Sequence, residues 1–212
     1  MDKQSIISMQ KQQKDILNKR LSEFEQTYKK GDKEIFKELC FCILTANASA
    51  RGGMKAIEAL NNLIFTGSEK EISNALHKAG YRFWRKRANY IIETRNAMQK
   101  QCNMELKLLI GKKREDKEAL RAFFDENAKG IGMKEASHFL RNIGFKEYAI
   151  LDKHIVNCLH ESKVFETNNK PKNKQEYLQM ESIMKNYSKK IKVPMAELDL
   201  ILWSSKTGEI LK

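Results

Sequence analysis

The chain holds two prolines in 212 residues, and 41% of it is hydrophobic. A composition so poor in proline and so able to bury apolar surface marks a globular chain and not a disordered one. Cysteine is also scarce. Cys40, Cys42, Cys102 and Cys158 are scattered, and Cys40-x-Cys42 has no C-x-x-C partner, which argues against a zinc site. No cysteines cluster near the C-terminus, so an iron–sulfur centre is not expected either. Cys40 and Cys42 lie in the apolar run Leu39 to Leu44 and read as buried thiols. No apolar stretch approaches the roughly 18 residues that a membrane span requires. The N-terminus is polar and charged, unlike a signal peptide, and with reduced thiols this points to an intracellular protein. Strand signals are nearly missing, since no Asn-Gly type dipeptide joins two alternating runs. Acidic residues are in deficit, 27 against 40 Lys+Arg, which leaves a formal charge of +13. Such an excess fits a polyanionic partner, with a solvated lysine-rich surface as the alternative.

What is present is helical periodicity. Residues 5–29 are amphipathic, with Ile6, Ile7, Ile16, Leu17, Leu21 and Phe24 among charges. Residues 33–48 are the most apolar stretch and read as a buried helix. Further helices are predicted over 54–64, 68–79 and 84–100, with one or two over 101–128 around a charged loop at 111–116. Others follow over 133–142, 152–161, 174–189 and 194–204, with a surface loop at 166–174. No internal repeat or low-complexity tract occurs. The fold class is therefore all-α.

The most informative segment is Lys129-Gly130-Ile131-Gly132-Met133-Lys134. Gly130 and Gly132 allow a tight turn that backbone and ligand can approach closely. Ala136, Phe139, Leu140 and Ile143 then recur at helical spacing, so a helix starts at the turn, and its first N–H groups suit a phosphate. Lys134 falls in the first turn, where the helix dipole disfavours an ammonium. An amine there is a candidate nucleophile; a surface lysine or a simple phosphate contact is the plainer alternative. Asp152 follows the apolar Ala149-Ile150-Leu151 and opens a helix, where an aspartate caps well. A fixed carboxylate can also stabilise developing positive charge.

The stretch Lys129 to Asn142, with the later Ala149-Ile-Leu-Asp152-Lys-His154, resembles the helix-hairpin-helix superfamily of DNA glycosylases. More narrowly, it is similar to the compact 8-oxoguanine DNA glycosylase/AP lyases of archaea and some bacteria. The likeness extends to Glu38-Leu-Cys-Phe-Cys-Ile-Leu-Thr-Ala-Asn47, Gly80-Tyr-Arg-Phe83, Leu198-Asp-Leu-Ile-Leu-Trp203 and Thr207-Gly-Glu-Ile-Leu-Lys212. The resemblance implies one helix-hairpin-helix domain over 1–212 with two helical subdomains and the active-site cleft between them. The N- and C-terminal helices would form one subdomain and the middle helices the other, with the hairpin at about 120–144.

The same resemblance assigns roles. Lys134 would be the nucleophile and Asp152 the catalytic carboxylate. Phe83 and Trp203 would sandwich an extruded base, although either aromatic alone reads as core packing. Lys212 would contact the oxidised base, and Asn47 is a pocket amide or a helix cap. Gly130 and Gly132 would hold DNA phosphate, joined by Arg82, Arg85, Lys86 and Arg87, whose cations mix with aromatics. His154 is structural or faces DNA, and His138 is a core group. No metal or cofactor is implied. The expected partner is double-stranded DNA containing 8-oxoguanine, bound by a monomer away from membranes. Two rivals remain open at this point: a glycosylase of the same fold for another oxidised base, and a non-catalytic DNA-binding hairpin module.

Overall fold

A computed structural model describes residues 1–210. Thirteen α-helices and no strand occur among these residues. Lys212, expected to contact the oxidised base, lies outside the described residues. Two compact units divide the chain, one of 1–26 with 140–212 and one of 27–139.

The first unit opens with α1 (Lys3–Gln12) and most of α2 (Lys14–Lys29). Sequence periodicity predicts one helix here, but Gln13 sits at φ −104°, ψ 12° and divides it. The second unit continues through α3 (Asp32–Thr45), α4 (Ala50–Leu60), α5 (Leu63–Thr66), α6 (Glu69–Lys78) and α7 (Trp84–Cys102). It also holds α8 (Leu106–Lys113) and α9 (Lys117–Asn127). Gly111 lies inside α8 rather than in a loop. The unit boundary falls within α10 (Met133–Asn142). The first unit then resumes with α11 (Lys153–Glu161), α12 (Lys174–Ile191) and α13 (Met195–Thr207).

Burial explains the arrangement within each unit. Helix α3 is apolar nearly all round, and Ile35, Phe36, Leu39, Cys40, Cys42, Ile43 and Leu44 are fully covered. A helix without a polar face must lie at the centre of its unit. Each such leucine or isoleucine contributes about 1.5–3 kcal/mol on leaving water. Burial also pushes the Cys40 thiol up, which keeps it inert. Helix α13 is the counterpart in the first unit, with Leu198, Leu200, Ile201 and Leu202 buried.

Helix starts follow the capping chemistry. Ser68 and Glu71 form a reciprocal capping box at α6. Ser49, Asp116, Asp152 and Asn173 cap α4, α9, α11 and α12 through their side chains. Among the described residues, no helix is long and apolar enough to cross a membrane.

Candidate active site

The hairpin belongs to the second unit. Ile131 N donates to Ala128 O at 3.1 Å, closing a turn around Gly130 at φ +79°. A Cβ at Gly130 would stand 2.3 Å from the Tyr90 ring, so both the left-handed backbone and the space demand glycine. Gly132 differs: a Cβ there would meet nothing nearer than Glu135 Oε2 at 3.7 Å. Its open side leaves the backbone approachable. Helix α10 begins immediately afterwards, with Ala136 N donating to Gly132 O at 2.8 Å. N–H groups of that first turn have no carbonyl partner within the helix and favour an anion.

Lys134 is the second residue of α10, and its side chain is 31% exposed. Its Nζ lies 2.8 Å from Glu135 Oε1. A nucleophile must offer a free lone pair, so any role of that kind for Lys134 would require this ion pair to open. Glu135 is a contact that the sequence reading did not single out. His138, one turn further on, packs edge-on against Phe41 with ring centroids 6.0 Å apart.

The basic–aromatic run divides in two. Arg82, Arg85 and Lys86 are exposed, and their cations lie over Phe83, Trp84 and Tyr90 at 5.0, 4.3 and 5.6 Å from the ring centroids. Arg87 is instead 6% exposed and donates to Ala46 O at 2.5 Å. The four cations of the run at 82–87 read alike in sequence; only helical phase separates the inward one. Phe83 is half-buried at the start of α7. Asn47 is exposed and adopts φ +60° just past the end of α3. Tyr81 donates through its hydroxyl to Leu44 O, satisfying another carbonyl at that helix end.

Asp152, His154 and Trp203 belong to the first unit. Asp152 Oδ1 accepts from Ile155 N at 2.8 Å, an N-cap bond, and the residue remains partly exposed. The extended segment before it is braced by α12. Tyr177 donates to Ala149 O at 2.7 Å, and Glu181 accepts from Ala149 N at 2.8 Å. Nothing in the sequence marked Tyr177 or Glu181 beyond their spacing of one helical turn. His154 is exposed in the first turn of α11. Trp203 is half-buried on α13, one turn beyond the buried Asp199.

Comparison with known proteins places these features in a family. A family model described as 8-oxoguanine DNA glycosylase matches residues 17–193. An 8-oxoguanine DNA glycosylase/AP lyase of Korarchaeum cryptofilum is 43% identical over 94% of this chain and 91% of its own. The Methanocaldococcus jannaschii 8-oxoguanine glycosylase/lyase, solved with DNA containing 8-oxoguanine, superposes with a TM-score of 0.90. That pair shares 36% identity and covers 99% of both chains. The 8-oxoguanine DNA glycosylase of Thermotoga maritima gives a TM-score of 0.89 at 32% identity, over 99% of this chain and 98% of the other. With such coverage of both sequence and fold, the chain belongs to the 8-oxoguanine DNA glycosylase family.

Proposed function

We propose that the chain is a bifunctional DNA repair enzyme that excises 8-oxoguanine from duplex DNA and then cleaves the abasic site. The observation that carries this reading is Lys134 in the first turn of α10, directly after the Gly130–Gly132 turn. A phosphate-binding turn and an amine nucleophile thereby share one short segment. A purely DNA-binding hairpin could use the amine only as an ammonium on phosphate, without forming a bond to the sugar.

The steps require these residues together with water, which supplies and takes up the protons. As the bond from C1′ to the base breaks, the base leaves with the electron pair and takes up a proton. The Lys134 amine, freed from Glu135 and deprotonated, bonds to C1′. Ring opening gives a Schiff base that acidifies C2′. Loss of a C2′ proton then expels the 3′ phosphate, and water hydrolyses the Schiff base to return the lysine. Asp152 opposes the positive charge that develops on the sugar, held by its cap bond to Ile155 N.

Base recognition falls to Phe83 and Trp203, which would stack on the extruded base, with Asn47 as a pocket amide. Lys212 is proposed to contact that base, as the family resemblance implies. Arg82, Arg85, Lys86 and His154 are exposed and free to meet phosphates, alongside the backbone at Gly130 and Gly132. Arg87 is withdrawn from that set because it is buried.

The test is single-turnover incubation with end-labelled duplexes carrying 8-oxoguanine, an oxidised pyrimidine or an abasic site. Excision of 8-oxoguanine with β-elimination products, and much slower action on the pyrimidine lesion, is expected. Preference for the pyrimidine lesion would reassign the substrate. Binding without cleavage of any duplex would reduce the chain to a binding module.

A further inference from the structure

One face of α7 runs from the proposed base pocket to the hairpin turn. Phe83, Arg87, Tyr90 and Thr94 follow at spacings of four, three and four, so they share a stripe about 16 Å long. Phe83 is the N-cap residue of the helix. The Arg87 guanidinium lies 5.9 Å from the Phe83 ring centroid and 5.2 Å from that of Tyr90, while donating to Ala46 O beside Asn47. Tyr90 fills the space that a side chain at Gly130 would need. Thr94 Oγ1 accepts from Lys129 N at 2.9 Å, and Glu93 pairs with Lys129 at 3.4 Å.

Arg87 is costly where it stands. It is 6% exposed, its Nε has no hydrogen bond among the described residues, and no ion pair to a described carboxylate neutralises it. A buried, incompletely satisfied charge lowers stability compared with an apolar side chain of similar volume. Breaches of local packing rules of this kind concentrate at functional positions.

We infer that Arg87 is a positioning residue for base excision, which fixes the Asn47 turn and the Phe83 ring relative to each other. This rests on the proposed base pocket. Arg87 also borders the hairpin, since its Nη1 would stand 3.1 Å from a Cβ at Gly130, but that turn has further supports in the Tyr90 ring, the Glu93–Lys129 pair and the Thr94 hydroxyl, whereas the Ala46 carbonyl beside Asn47 takes the Arg87 hydrogen bond directly. Removing the guanidinium should therefore damage base excision more than Schiff-base chemistry at a sugar that has already lost its base.

The experiment compares the full chain with Arg87→Met and Arg87→Lys. Single-turnover rates are measured on 8-oxoguanine duplex and on preformed abasic duplex. Loss of placement by a fraction of an ångström to an ångström costs about 10- to 100-fold. Arg87→Met should lose that factor in excision beyond whatever it loses in abasic-site cleavage. Arg87→Lys, which keeps one donor but no flat fork, should show a smaller skew in the same direction. Circular dichroism melts establish folding; if Arg87→Met does not fold, the skew in Arg87→Lys decides. Equal losses in the two reactions, or none, in a folded variant would overturn the inference. A wild-type chain that cleaves abasic sites but does not excise 8-oxoguanine would instead sink the functional reading on which it rests.

Discussion

Arg141 Nη1 stands 3.5 Å from Asp199 Oδ2, and each side chain is 5% exposed. Within the first unit the pair joins the last turn of α10 to α13, and Phe24 covers the guanidinium at 4.8 Å from its ring centroid. Burial pushes the Asp199 carboxyl up to about 7, against the pull of Arg141, and the nearby Asp152 adds to the rise.

A pH dependence follows from that shift. Between the ordinary value of 3.8 and about 7, the folded chain keeps a proton that the unfolded chain has released. Stability attributable to Asp199 is therefore full below pH 3.8, falls as pH rises toward about 7, and is level above it. That rise from 3.8 to about 7 corresponds to about 4 kcal/mol at most. Asp199→Asn removes the titration while keeping the shape. Urea unfolding at several pH values should show the variant gaining on the wild type from pH 4 to 7, and no further change above. A difference that does not vary with pH would contradict the assignment.

The two hairpin glycines should separate folding from binding. Gly130→Ala forces a Cβ against Tyr90 at a positive φ and should destabilise by about 1–3 kcal/mol. Gly132→Ala meets nothing nearer than 3.7 Å, so its melting temperature should stay close to wild type while duplex affinity falls. Thermal melts and titrations with labelled duplex check both. A strongly destabilised Gly132→Ala would mean that this glycine serves the fold.

Much of this was legible in the sequence, for reasons that differ between residues. Apolar period placed the helices around the buried Leu39 to Leu44 run, and the Gly-Ile-Gly turn located the start of α10. The split at Gln13 was not legible, because an amphipathic pattern continues through a local change of backbone angle. Charge alone does not reveal helical phase, so the sequence does not separate Arg87 from its exposed neighbours. Contacts between distant segments, such as Tyr177 with Ala149 or Arg141 with Asp199, leave no periodic trace. A carboxylate inside Leu198-Asp199-Leu200-Ile201-Leu202 was the one available signal for the second of these.

Asp152→Asn should preserve the cap, because an amide oxygen can still accept from Ile155 N. It loses the charge proposed to oppose the developing cation. Base excision should fall by about 10²- to 10³-fold with little change in melting temperature. Normal single-turnover excision by the variant would reduce Asp152 to a helix cap.

Duplex binding should weaken steeply with salt, as expected for a chain of formal charge +13. If about 5 phosphates are neutralised, log K against log salt should have a slope of roughly −4 to −5. Arg82→Ala, Arg85→Ala and Lys86→Ala should each make the slope shallower by about one if that side chain contacts phosphate. A flat dependence would remove the electrostatic footprint from the account.

The central claim is that the Lys134 amine bonds to the sugar, and borohydride trapping tests it most directly. Wild type incubated with 8-oxoguanine duplex and borohydride should become covalently linked to DNA, with peptide mapping locating the link at Lys134. Lys134→Gln should bind the same duplex with nearly wild-type affinity and form no cross-link. Undiminished cross-linking by Lys134→Gln, or a link mapped to another lysine in the wild type, would contradict it.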